Sequence, residues 1–189
     1  SRWVSACSEE AHSSIVSAAN VMDVEVLKVP VAANGKLMGE AVAHAIDHLH
    51  STTTHRVFAV VATAGTTNLG IIDDLKGIGS ASHERGIWFH VDGAYGLAGI
   101  LSPDSKHLFI GVEKADSLIV DPHKWLFAPF DACALVYRDP AIARAAHTQH
   151  GDYLDTLTEI PNRRSFMARA GQRLQALPRE HDHYLAMVD

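Results

Sequence analysis

The unbroken apolar run Val57-Phe58-Ala59-Val60-Val61-Ala62 constrains the fold more than any other stretch of the chain. A strand without polar alternation has to be covered on both faces, the condition of an inner strand in a parallel sheet. Shorter β-rich runs lie on either side of it: Trp3 to Cys7, Val24 to Val29 (stopped by Pro30), Ile87 to Val91, Leu118 to Val120 and Ala132 to Tyr137. Helical patterns separate them. Glu9 to Asn20 reads as a helix with Ser8 as its N-cap. Met38 to His50 places Val42, Ala45, Ile46 and Leu49 on one apolar face. Asp73 to Arg85 is a third helix, ended by Gly86. Further helices are expected around Leu108 to Lys114 and Pro140 to His150. Asn34-Gly35 reads as a turn, and Thr63 to Gly70 as a polar loop. Strands alternating with helices give an α/β domain with a mostly parallel sheet flanked by helices.

Composition narrows the function classes. The 189 residues suit one domain or a large part of one, with 47 % hydrophobic and 20 % charged residues. The formal charge of −6 and a pI near 6.1 leave no basic patch for nucleic acid. Two cysteines, Cys7 and Cys133, form no disulfide framework, so a reducing, cytoplasmic setting is expected. No apolar run approaches the roughly 18 residues needed to span a membrane. The chain opens on Ser1-Arg2-Trp3, without an initiator Met or a signal-peptide pattern, and reads as a piece of a longer protein.

In open parallel sheets, ligands bind at the carboxyl ends of the strands. Three polar clusters follow strands here: Thr63-Ala64-Gly65-Thr66-Thr67, Asp92-Gly93-Ala94-Tyr95-Gly96 and Asp121-Pro122-His123-Lys124. Asp92 closes an apolar strand and is followed by small residues. Lys124 follows another, 124 − 92 = 32 residues later, which is room for one crossover. A lysine amine in a partly apolar crevice can attack a carbonyl carbon, and a nearby carboxylate can hold a protonated ring nitrogen. Together they describe a pyridoxal 5'-phosphate site with a lysine Schiff base.

The stretches Glu-Glu-Ala-His-Ser-Ser (Glu9 to Ser14), Ala62 to Thr67, His90 to Gly96 and Asp121 to Leu126 resemble the group II pyridoxal-dependent amino-acid decarboxylases, in the family's order and at similar separations. That family includes the aromatic-amino-acid and glutamate decarboxylases. The likeness runs from about Trp3 to about Leu157. It implies a partial large domain of the fold-type I pyridoxal-phosphate enzymes over 1–157, and a helical tail of looser match over 158–189. Within that tail, Asn162 to Arg179 reads as an exposed helix.

The resemblance also implies roles. Lys124 would carry the cofactor and Asp92 would pair with its ring nitrogen. His12 would stack on the ring and touch the substrate carboxylate, and Ala94 would pack on the opposite face. Thr67 would lie beside the ring hydroxyl, and His123 near the phosphate. Asp152-Tyr153-Leu154 is similar to part of a mobile loop whose tyrosine protonates the substrate carbon. The implied reaction removes an amino acid's α-carboxylate as carbon dioxide through a quinonoid intermediate, leaving an amine, in a homodimer.

The sequence departs from the family in three places. Asp121 stands where many relatives carry asparagine, and a carboxylate there would repel a phosphate. The family's phosphate cup and its small carboxy-terminal domain match nothing in this chain. A chain lacking them is expected to bind the cofactor poorly and to be inactive alone. The competing readings are an aminotransferase or carbon-carbon lyase of the same fold, and an inactive fragment. A zinc module built on His44 and His48 is a further alternative. It lacks the glutamate of the metalloprotease pattern, and no metal ligands are assigned.

Overall fold

In a computed structural model of the chain, residues 1–147 are described. One compact unit spans Ser1–Ile142, and a second begins at Ala143. The strands are β1 (Trp3–Ser8), β2 (Glu25–Val29), β3 (Arg56–Thr63), β4 (Trp88–Asp92), β5 (Ser117–Val120) and β6 (Ala134–Tyr137). The helices are α1 (Ser13–Val21), α2 (Gly39–Thr52), α3 (Leu75–His83) and α4 (Pro140–His147). The sheet order is β2-β1-β3-β4-β5-β6. The first five strands pair in parallel, and β6 runs antiparallel to β5.

The apolar run in β3 is an inner strand, as its composition requires. On one face Val60 and Ala62 join Val4, Ala6, Phe89 and Val91, covered by Val42 and Ile46 of α2 and by Leu75 and Ile78 of α3. A register shift between Val4 and Ser5 lets Val57 pair Val4 while Ala59 pairs Ser5. Phe58 thereby turns to the other face, where it meets Trp3 edge-on with ring centroids 6.2 Å apart. That second face is more polar. It carries Ser5, Cys7, Thr63, Trp88, His90 and Asp92 by alternation along the strands.

Several boundaries differ from the sequence reading. α1 begins at Ser13, and its N-cap is His12, not Ser8. Ser8 Oγ instead accepts a hydrogen bond from Glu10 N (2.9 Å), and Glu9 N donates to Val29 O, so this stretch is spent extending β2's pairing and turning. α3 starts two residues after Asp73, with Asp74 as its N-cap. Asp73 is buried between Leu37 and Thr63. The helix expected over Leu108 to Lys114 is replaced by short 3-10 turns, Lys106–Phe109 and Val112–Lys114, with Gly111 at φ 104° between them. Gly111 sits against the backbone of Lys76, where a side chain would not fit. The reading of a helix over Asn162 to Arg179 lies outside the described residues, as do the last residues of the helix expected to reach His150.

Candidate active site

The strand order reverses between β1 and β3, because the chain passes from β2 across β1 to form β3 and then continues outward. A parallel sheet opens a crevice at such a switch point, beyond the carboxyl ends of its strands. The segments after β1, β3, β4 and β5 line one cavity of about 500 Å³ there. It gathers five of the residues singled out by sequence: His12, Thr67, Asp92, Ala94 and Lys124. His123 is not among them. Its Nδ1 lies 2.6 Å from Ala132 O, and its ring meets Phe130 edge-on, so it faces the β5–β6 connection. Tyr153 lies outside the described residues.

Each side chain is placed by local structure. His12 caps α1 through Nδ1, which accepts from Ser14 N (3.3 Å) and lies 2.9 Å from Ser14 Oγ. Asp92 ends β4, and its Oδ1 accepts from Ala94 N (3.2 Å), a short turn that brings the alanine to the cavity wall. The loops after β3 and β4 touch backbone to backbone. A Cβ on Gly65 (φ 106°) would come within 2.7 Å of Gly96 Cα, so glycine is needed at that crossing. Lys124 is turned back toward β5 by the bond from its N to Asp121 O (3.0 Å).

The lysine amine is already paired in this crevice. Its Nζ is 2.8 Å from Asp121 Oδ2, with side-chain exposures of 37 % and 12 %. Burial alone would push the Asp121 carboxyl up. Bonds from the Lys124 ammonium and the Cys133 thiol outweigh that and hold it below the usual carboxylate range. The charge of Asp121 is therefore spent on Lys124.

Several further lining residues stand in the sequence motifs but have no role of their own in the sequence reading, among them Thr63, Tyr95, His90 and Ser14. Among the described residues, Thr63 Oγ1 is the buried side-chain oxygen without a hydrogen-bond partner, and Thr63 faces this cavity. An orphaned hydroxyl in a cavity with an amine and a carboxylate fits a polar ligand. The donor set also fits the group implied by the resemblance: an amine for an aldehyde carbon, a carboxylate for a ring nitrogen, and an imidazole and an alanine methyl for a flat ring. Tyr95, on the cavity wall, meets Trp125 edge-on at 5.5 Å.

A family model described as the pyridoxal-dependent decarboxylase conserved domain matches residues 1–178. An aromatic-L-amino-acid decarboxylase of Drosophila lebanonensis is 34 % identical over 179 residues, covering 94 % of this chain and 44 % of that protein. The corresponding Drosophila melanogaster protein is 34 % identical over 93 % of this chain and 34 % of its own length. The chain thus spans less than half the length of these curated relatives. Among solved structures, mouse CSAD in apo form matches with TM-score 0.73 and 33 % identity, over 80 % of this chain and 33 % of that one. The glutamate decarboxylase domain of a Vibrio parahaemolyticus protein matches with TM-score 0.73 and 33 % identity, over 78 % of this chain and 32 % of that one.

Proposed function

Because the chain belongs to the pyridoxal-dependent decarboxylase family, we propose that it supplies the lysine-bearing side of a site that removes the α-carboxylate of an amino acid as carbon dioxide. The observation that carries this reading is the convergence of Lys124, Asp92, His12, Ala94 and Thr67 on one cavity at the switch point. Pyridoxal phosphate, when bound, supplies an electron sink for the pair left behind by carbon dioxide.

The chain's own residues have separate tasks. Lys124, whose Nζ meets Asp121 here, would be the residue that holds the cofactor through its amine. Asp92 would hold the ring nitrogen, where its negative charge favours the protonated form. His12 and Ala94, both on the cavity wall, would hold the ring, and His12 would orient the substrate carboxylate. Thr67 would donate beside the ring hydroxyl. Tyr153 returns a proton to the α-carbon, a role carried by the resemblance alone. His123 near the phosphate also rests on the resemblance, and its contacts with Ala132 and Phe130 argue for a support role through the loop.

The protein acts as a cytoplasmic homodimer in this reading. Phe127 and Phe130, 91 % and 84 % exposed just after Lys124, are apolar surface that a second copy would cover. No helix among the described residues is long and apolar enough to cross a membrane. Aromatic amino acids are the first substrates to test, since the curated relatives act on them. The deciding experiment is a product assay on the natively expressed protein with pyridoxal phosphate. Release of carbon dioxide with the matching amine supports the reading, whereas a keto acid would identify an aminotransferase.

A further inference from the structure

His90 lies two residues before Asp92 on the same face of β4 and lines the same cavity, yet the roles above do not use it. Its surroundings define its chemical state. His90 pairs in register with Ser117 of β5. Ser117 is buried, and its Oγ has two ring partners: Trp88 Nε1 at 2.9 Å and His90 Nδ1 at 2.8 Å. An indole N–H can only donate, so Ser117 Oγ accepts from Trp88. The hydroxyl hydrogen then needs an acceptor, and Nδ1 of His90 is the one at hand. If Nδ1 carried a proton instead, the buried hydroxyl hydrogen would be stranded. The arrangement that satisfies the indole, the hydroxyl and Nδ1 together is Trp88 N–H to Ser117 O–H to His90 Nδ1, with the imidazole proton on Nε2.

We infer that the Trp88–Ser117 relay holds His90 as a neutral, Nε2-protonated imidazole, so that the Asp92 carboxylate stays free for a cationic ring nitrogen. This rests on the proposed cofactor site. An imidazolium beside Asp92 would compete with that nitrogen for the same carboxylate, whereas a neutral ring does not. Burial pushes the His90 pKa down, against a smaller upward pull from Asp92. The other charged or titratable groups on the cavity are His12, Tyr95, Asp121 and Lys124. The last two are paired to each other, so neither opposes a charge on His90. His90 is in these terms a positioning residue: it acts on the cofactor through Asp92.

Two measurements on the natively expressed protein test this. The first needs no cofactor: 15N signals of the histidine rings, with His90 assigned by its loss in His90→Gln. The expected pattern is an Nε2–H, Nδ1-bare ring unchanged between pH 8 and pH 6. Ser117→Ala should release it to mixed tautomers and protonation at higher pH. An Nδ1–H ring or an imidazolium at pH 7 in the wild type would overturn the inference. The second is equilibrium uptake of pyridoxal phosphate. His90→Gln, a neutral donor, should bind within about threefold of wild type, and His90→Lys should bind about tenfold or more weakly because its cation claims Asp92. Equal binding by His90→Lys and wild type, or equal loss in both variants, would overturn it. Failure of the wild type to take up cofactor with the expected tautomer in place would instead overturn the functional reading.

Discussion

Asp73 offers a stability test whose size follows from the structure. The residue is 4 % exposed, and both carboxylate oxygens accept backbone bonds: Oδ1 from Leu37 N at 2.8 Å and Oδ2 from Thr63 N at 2.7 Å. It therefore ties the turn before α2 to the end of β3, where the cavity begins. Removing it by Asp73→Ala strands two buried N–H donors, at about 1–3 kcal/mol each. Part of that is offset, because the carboxylate is itself costly to bury: burial pushes its pKa up despite the bonds from Thr63 and Leu37. The net loss should be about 2–3 kcal/mol. Asp73→Asn should cost nearly as much, since the amide nitrogen would face one N–H with another donor. The assay is urea unfolding followed by circular dichroism, read as a lowered midpoint at unchanged slope. An asparagine variant within about 0.5 kcal/mol of wild type would refute the reasoning, because it would mean that only one oxygen is in use.

Other consequences are open to direct measurement. Burial lowers the folded-state pKa of His90 below 6.5. Between the folded and unfolded values the unfolded chain binds more protons, so stability falls as pH drops through 6.5, by at most about 1.4 kcal/mol per pH unit, and levels off below the folded value. His90→Gln should remove that part of the slope, and an unchanged slope would argue against a neutral His90. The Cys133 thiol is exposed but pushed up by its partial burial and by its bond to Asp121. It should react with a disulfide reagent more slowly than a free thiol at pH 8, and Asp121→Asn should speed it severalfold; no acceleration would mean that bond is absent. Gly65→Ala forces a Cβ into a φ of 106° and to 2.7 Å from Gly96 Cα. It should cost about 2–4 kcal/mol in urea unfolding, and a neutral result would mean the two loops are not in contact.

The fold was legible in the sequence wherever apolar content decided it. The run in β3 required an inner parallel strand, and Val42 and Ile46 identified the buried face of α2. Boundaries set by distant partners were not legible. Ser8 has the chemistry of an N-cap, but β2 draws the following residue into its pairing, and His12 caps the helix instead. Asp73 reads as the start of a helix, yet its partner Leu37 lies 36 residues away. The site follows the same division. Lys124, Asp92, His12, Ala94 and Thr67 stand in motifs at strand ends, where topology brings ends together. The Asp121–Lys124 pair was not legible, because it depends on how the turn after β5 folds back. The Trp88–Ser117–His90 chain depends on the register of β4 against β5, which no local pattern encodes.

The central claim is that Lys124 carries the cofactor. The most direct measurement is borohydride reduction of the natively expressed protein after incubation with pyridoxal phosphate, followed by peptide mapping of the pyridoxyl group. The account predicts a label on the peptide containing Lys124, lost in Lys124→Ala while urea unfolding remains cooperative. A label confined to other lysines, or one that survives Lys124→Ala at full yield, would contradict it.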